Sequence, residues 1–219
     1  MGPLADVFVQ VQTRDLSSVV RCVESLRTFL QSCGRICIVS AALPSEIRQQ
    51  LESLGCKFLN EKDAFGFDAT AISGPPDARD RLFNQFLKWE LRRFSQTPNY
   101  LVIEATRALT QPTDLWHGDQ QTLFCENRFR FGYLMCFNYF FGQIPYPTSP
   151  AISEVQHLNC SVIDEMVGKI QSRYKTHWTQ ATFAILQQVK GTAFDAGQNY
   201  GHYLAIFRPG SFAIHPSSV

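Results

Sequence analysis

An acidic residue directly follows the most uniformly apolar strand pattern in this sequence. Residues Tyr100 to Ile103 predict a buried strand, and Glu104 comes immediately after it. In an open α/β sheet, ligands bind beyond the carboxyl ends of the strands, so we expect this carboxylate at the ligand edge. There it could hold a hard cation that bridges a diphosphate. The residues leave a second interpretation open, in which Glu104 ends the strand and pairs with an arginine.

The elements that would position this carboxylate alternate between strand and helix in the first half of the chain. Three further apolar runs predict strands: Asp6–Val11, Arg35–Val39 and Cys56–Leu59. Apolar residues at helical spacing predict helices between these strands, and a long helix from Asp77 to Phe94. This order predicts an α/β fold with parallel pairing and right-handed crossovers. Gln12 and Thr13, which follow the first strand, then lie at the same edge as Glu104.

The second half of the chain is less regular. It predicts helices over Val162–Tyr174 and His177–Lys190, and a strand over Tyr203–Phe207. Aromatic residues crowd the run from Phe129 to Phe141, which is either core or a platform on which an acceptor sugar stacks. No linker divides the chain, so we predict a single domain over residues 1–219.

Composition excludes several classes of function. The net charge is +1, which argues against a generally basic nucleic-acid binder. The longest apolar stretch, Phe131 to Ile144, is shorter than the roughly 20 residues that a membrane-spanning helix needs. The seven cysteines include no Cys-x-x-Cys pair, and the N-terminus lacks the pattern of a secretion signal. We therefore expect reduced thiols and a cytoplasmic location, whereas the oligomeric state stays open.

Three segments carry a resemblance to a known family: Phe83–Lys88, Tyr100–Pro112 and Phe194–Tyr203. In the family, the first holds an aromatic residue followed by Gln-x-Leu-Lys. The second holds an Asp-x-Asp motif between an apolar run and a Thr-x-Pro, and the third an acidic cluster before Tyr-Gly-x-Tyr. With this order and spacing, the chain resembles a group of small bacterial glycosyltransferase-like proteins with a GT-A-type fold.

The resemblance implies one central mixed sheet flanked by helices. It also implies transfer of a sugar from a nucleotide-sugar donor to a glycan or other acceptor. The alternative is a catalytically inactive GT-A-like module that binds a nucleotide, a glycan or a protein partner. Both alternatives fit the departures from the family pattern, because several acidic positions have lost their charge together.

The clearest departure concerns the metal. In GT-A enzymes the Asp-x-Asp motif usually coordinates Mn²⁺ or Mg²⁺, but here the positions read Glu104, Ala105 and Thr106. A threonine hydroxyl is a much weaker ligand for a hard cation than a carboxylate. Mn²⁺ or Mg²⁺ dependence is therefore expected to be weakened or absent, with Glu104 and His202 as the implied ligands and His215 as a rival to His202.

The remaining site residues are also implied by the resemblance. Asp195 is the candidate catalytic base and Asp164 the second choice. Seven residues are the candidate nucleotide-sugar ligands: Gln12, Thr13, Gln85, Lys88, Thr106, Arg107 and Asn159. Arg107 is expected to neutralise part of the diphosphate charge. For Lys88 the competing interpretation is a solvated helix face, because Arg81, Lys88 and Arg92 share one face at helical spacing.

Overall fold

The structure is a computed structural model that describes residues 2–65, 72, 76–125, 131–144, 153, 155–189 and 193–216. Within these residues there are eight strands: β1 (Ala5–Gln10), β2 (Cys33–Ser40), β3 (Lys57–Asn60), β4 (Asn99–Glu104), β5 (Trp116–His117), β6 (Gln120–Cys125), β7 (Gln156–Asn159) and β8 (Phe212–Pro216). There are also eight helices: α1 (Val19–Phe29), α2 (Ser45–Ser53), α3 (Glu61–Phe65), α4 (Pro76–Glu90), α5 (Phe131–Phe141), α6 (Cys160–Tyr174), α7 (Trp178–Gln188) and α8 (Ala196–Phe207).

The central sheet has five strands in the order β3-β2-β1-β4-β7. The first four strands are parallel, and β7 joins β4 antiparallel, so the sheet is mixed. Every residue of β1 is buried, and so are the first five residues of β4. Burial on both faces explains why these strands are continuous apolar runs in the sequence. The α/β architecture expected from the sequence is therefore confirmed.

Two apolar layers cover the sheet. One face packs against α1 and α2 through residues such as Val23, Leu26 and Leu51, all with no exposed surface. The other face packs against α4 and the C-terminal helices, where Trp89 and Trp178 lie with ring centroids 5.2 Å apart. Burial of this much apolar surface is the main favourable term in folding. It fixes α4 across the sheet and thereby positions the polar residues that α4 carries.

The end of the chain corrects one expectation. Tyr203–Phe207, predicted as a strand, is the last part of helix α8. A short apolar run does not distinguish a strand from a buried helix, and α8 is buried along its first nine residues. Tyr203 packs against Phe141 of α5 and Phe207, with ring centroids 5.1 and 4.7 Å away.

A second sheet of three strands, in the order β5-β6-β8, was largely missed by the sequence patterns. Its middle strand, β6, includes the apolar run Leu123–Cys125. Strand β8 pairs in parallel with β6, in a register that runs from Gln121 opposite Phe212 to Cys125 opposite Pro216. In the described part of the chain, no helix combines the length and the apolarity that crossing a membrane requires.

Candidate functional site

A polar cleft lies at the carboxyl ends of β1 and β2 and has a volume of about 400 Å³. Gln12, Thr13 and Arg14 line it from the segment after β1, where Thr13–Asp15 forms a short 3-10 turn. Its other lining residues are Val11, Ala41, Ala42, Glu61, Asp80, Phe83 and Asn84. This sheet-edge cleft is where the topology rule for α/β sheets expects a ligand. The structure therefore brings Gln12 and Thr13 together with the N-terminal half of α4.

Gln10 connects this cleft to Glu104. It lies directly opposite Glu104 in the parallel register of β1 and β4, and its side-chain Nε2 donates to the Asn84 carbonyl oxygen over 3.2 Å. The Gln10 Oε1 atom is buried and has no hydrogen-bond partner among the described residues. A buried polar atom without a partner is costly, so a ligand donor that reached Gln10 Oε1 would remove an unfavourable contribution. The sequence offered one signal for it, a lone amide within an apolar strand.

Lys88 lies beneath Glu104 rather than on a solvated helix face. Its side chain is only 2% exposed, and its Nζ is 3.5 Å from Oε1 of Glu104, whose side chain is 37% exposed. The expected face shared with Arg81 and Arg92 is therefore not a solvated surface at Lys88. Helical spacing indicates which residues share a face, but the packing of α4 decides which face covers the sheet. The partner of Glu104 is thus a lysine, not the arginine expected from the sequence.

Gln85 and Asp195 meet at the start of α8. Gln85 Oε1 accepts from the backbone N–H of Ala196 over 2.9 Å, and the Asp195 carboxylate caps α8 by accepting from Gln198 N over 2.8 Å. Gln85 and Lys88 are three residues apart on α4 and so share a face. This face joins the start of α8 to the region of Glu104. The role of Asp195 as a base stays a prediction.

Glu61 and Asp80 form a pair of acids that the sequence patterns did not single out. Both line the sheet-edge cleft. Burial, together with the negative charge of Asp80, raises the pKa of Glu61 to about 7. Glu61 directly follows β3, so the rule that selected Glu104 at the carboxyl end of β4 also selects it.

Two predicted site residues lie elsewhere. Asn159 caps α6 at the opposite edge of the sheet, where its Nδ2 donates to Oδ1 of Asn99, the first residue of β4. Because β7 is antiparallel, its last residue meets the beginning of β4, about 16 Å from Glu104 at the rise of a strand. The imidazole of His202 is buried in α8 with its ring centroid 5.7 Å from that of Phe137, and burial lowers its pKa to about 4.

The aromatic run, for which both core and an acceptor platform were open, is divided between core and surface. Phe137 and Phe140 are buried, whereas Phe129 lies outside the described residues. Phe140 and Phe141 line an open groove of about 690 Å³ between α5, α6 and α8, together with Lys169 and Phe207. This groove is larger than the sheet-edge cleft, but the two described linings share no residue. Of the two, the cleft is the one at the carboxyl ends of the parallel strands, where sheets of this kind bind ligands.

Comparison with known proteins identifies the architecture. No protein-family model matches the chain, and no curated protein matches it. Among solved structures, the galactosyltransferase LgtC in complex with donor and acceptor sugar analogs aligns with a TM-score of 0.52 and 12% identity. That alignment covers 95% of this chain and 72% of that chain. The chain has a GT-A-type fold.

Glucosyl-3-phosphoglycerate synthase from Mycobacterium tuberculosis is a second structural neighbour. In complex with uridine diphosphate it aligns with a TM-score of 0.42 and 9% identity, over 82% of this chain and 68% of that chain. In complex with phosphoglyceric acid it aligns with a TM-score of 0.33 and 8% identity, over 48% of this chain. This last alignment spans only 34% of that enzyme's chain.

The three residues that the family resemblance predicts at the metal position, Glu104, Ala105 and Thr106, do not fit a divalent cation. Glu104 is paired with Lys88, and Ala105 is buried and apolar. Thr106 offers an exposed neutral hydroxyl. It lies in a turn in which the Arg107 N–H donates to the Glu104 carbonyl oxygen. Hard cations prefer several carboxylate or carbonyl oxygens. The described residues contain no group of three or more His, Cys, Asp or Glu that could hold a metal ion. The weakened or absent dependence on Mn²⁺ or Mg²⁺ that the sequence predicts stays a prediction.

Proposed function

We propose that this chain is a glycosyltransferase-like protein that binds a nucleotide-sugar donor in the sheet-edge cleft. It then transfers the sugar to a glycan or other acceptor. One observation carries the proposal: the cleft at the ends of β1 and β2 is polar and is connected through Gln10 to the Lys88–Glu104 pair. Its volume of about 400 Å³ lies within the range of about 300–1,000 Å³ that is typical of small-molecule sites.

The proposed roles follow from position. Gln12 and Thr13 contact the nucleoside, since they line the cleft. Lys88, Thr106 and Arg107 lie toward the diphosphate, where fixed positive charge and donors stabilise the leaving nucleoside diphosphate. Such preorganised charge is often the largest single contribution to catalysis of this type.

Gln85 positions the start of α8 through its bond to Ala196 N. Asp195, the residue that caps this helix, is the proposed base for the acceptor hydroxyl. LgtC, whose fold this chain shares, was solved with donor and acceptor sugar analogs, which supports the choice of ligand class.

The first experiment separates binding from turnover. Nucleotide sugars with different bases and sugars are titrated calorimetrically, and release of nucleoside diphosphate is then followed over a long incubation with candidate glycan acceptors. Binding with release supports the transferase. Binding without release supports an inactive module, an alternative favoured by the neutral Thr106 after Glu104. Absence of binding for every nucleotide contradicts both.

A pair of variants locates the binding site. Ala42 is exposed within the cleft, so Ala42→Trp should fill the cleft without disturbing the core and should weaken nucleotide binding at least tenfold. Ala184 is exposed on α7 and does not line the cleft, so Ala184→Trp is the matched control and should bind as the unmodified chain does. Equal binding by both variants would place the nucleotide elsewhere.

A further inference from the structure

The Lys88–Glu104 contact is an incomplete ion pair. The Lys88 side chain is almost fully buried, a costly position for an ammonium group unless it is paired. An ammonium carries three donors, and charge-assisted bonds to carboxylates are about 2.7–2.9 Å long. The 3.5 Å separation between Lys88 Nζ and Glu104 Oε1 is longer than that. Glu104 therefore balances the charge of Lys88 without forming a close hydrogen bond to it.

The pair adjoins the sheet-edge cleft. Asn84 and Lys88 are four residues apart on α4 and so lie on the same face, and Asn84 lines the cleft. Gln10 reinforces this connection, because it is bonded to the Asn84 carbonyl and is paired in register with Glu104. Lys88 and Glu104 do not themselves line the cleft, so the group that would approach the buried ammonium is an anionic group that extends from the cleft past Asn84 toward Glu104.

The charges at this position already balance without a metal. A divalent cation is held by an excess of negative charge, but here Lys88 neutralises Glu104 and the next polar residue, Thr106, is uncharged. We propose that the Lys88 ammonium takes the place of the divalent cation, so that a nucleoside diphosphate binds in the sheet-edge cleft without metal. This inference rests on the proposed function and specifies how the diphosphate is neutralised.

Titration of the unmodified chain gives the first test. Uridine, guanosine, adenosine, cytidine and thymidine diphosphates are each titrated calorimetrically in Mn²⁺ and, separately, in a chelator. We expect dissociation constants that agree within about twofold between the two conditions. Binding that requires Mn²⁺ would overturn the inference and leave the proposed function standing. Absence of binding in both conditions would instead remove the proposed function.

Two variants distinguish binding through Lys88 from binding through a metal ion. Glu104→Gln removes a negative charge near the diphosphate, so binding without metal should be unchanged or tighter. If Glu104 were a metal ligand, the same variant would weaken binding in Mn²⁺, and that result would overturn the inference. Lys88→Met keeps most of the volume of the buried chain and should weaken binding about 10- to 100-fold in the chelator.

Matched controls and a folding check keep these results interpretable. Glu52→Gln and Lys57→Met alter exposed residues of α2 and β3 and should leave binding unchanged. Circular dichroism compares the fold of each variant with that of the unmodified chain. If Lys88→Met does not fold, Glu104→Gln still decides, since the Glu104 side chain is partly exposed. Unchanged binding in a folded Lys88→Met variant would also overturn the inference.

Discussion

An ion pair lies at the amino end of the parallel strands of the central sheet and another at their carboxyl end, and these two pairs are built differently. At the amino end of β1, the Asp6 carboxylate accepts from Arg35 Nη2 over 2.9 Å and from Gln96 N over 2.7 Å. Arg35 Nη2 also donates to the Phe94 carbonyl oxygen over 2.6 Å. At the carboxyl end, Lys88 and Glu104 share one contact of 3.5 Å. The Asp6 carboxylate is saturated by protein donors, although Nε of Arg35 is buried without a hydrogen-bond partner among the described residues, whereas the Glu104 carboxylate is not saturated.

This difference indicates that the Asp6 pair contributes to stability, whereas the Glu104 pair has capacity left for a ligand. A buried carboxylate whose lone pairs are filled by protein donors contributes to folding and has no capacity left for a ligand. The Asp6 side chain is only 3% exposed, whereas that of Glu104 is 37% exposed. The edge that carries the cleft therefore holds charges that the protein itself leaves incompletely bonded, as expected where a ligand completes the set.

The largest effect on the free energy of unfolding should come from the Asp6–Arg35 pair, whose carboxylate is saturated. Asp6→Ala leaves the Arg35 guanidinium and the Gln96 N–H without their acceptor, so the free energy of unfolding should fall by about 3 kcal/mol. Urea unfolding followed by circular dichroism measures the change, with Asp119→Ala at an exposed turn as the control. A loss below about 1 kcal/mol would contradict the comparison. Nucleotide binding by the folded variant should not change.

An intermediate effect is expected from Glu61 at the cleft edge. Its pKa is raised from 4.5 to about 7, so the folded state holds a proton that the unfolded state releases between these values. The resulting stability is present below pH 4.5 and is lost as the pH rises through about 7. Glu61→Gln should remove this dependence and be more stable than the unmodified chain at pH 8, by about 1 kcal/mol after solvent screening.

Thermal unfolding of both proteins at pH 4.5 and pH 8 measures this difference. Equal pH dependence in the two proteins would show that burial and the charge of Asp80 do not raise the pKa of Glu61. The cleft edge would then resemble the opposite edge, where the carboxylate of Asp6 is fully compensated.

The smallest effect on stability should come from Lys88. Lys88→Met replaces a buried ammonium with an apolar chain of similar length, and the remaining Glu104 carboxylate is exposed enough to be hydrated. The free energy of unfolding should therefore change by less than about 1 kcal/mol, although Lys88 is more buried than Arg35. Urea unfolding beside Asp6→Ala measures the contrast. A loss as large as that of Asp6→Ala would mean that both pairs are structural.

Local patterns predicted most of the sheet and the position of one key residue. The apolar runs located β1 to β4 within a few residues, and the position of Glu104 after Ile103 followed from the strand alone. The segment Tyr203–Phe207 has the pattern of a strand, because five consecutive apolar residues do not distinguish the two-residue period of a strand from the 3.6-residue period of a helix. The antiparallel β7 and the parallel pairing of β8 with β6 depend on contacts that are distant in sequence.

The sequence by itself determined the alternation of elements, because side-chain periodicity is a local property of strands and helices. It also determined which residues follow the strands, and so placed Gln12, Thr13 and Glu104 at one edge. Only the tertiary structure decided that Lys88 is buried under Glu104, that Gln10 bonds to Asn84, and that Asn159 lies at the far edge. These facts depend on how helices pack across the sheet and on strand direction, which chain-local patterns do not encode.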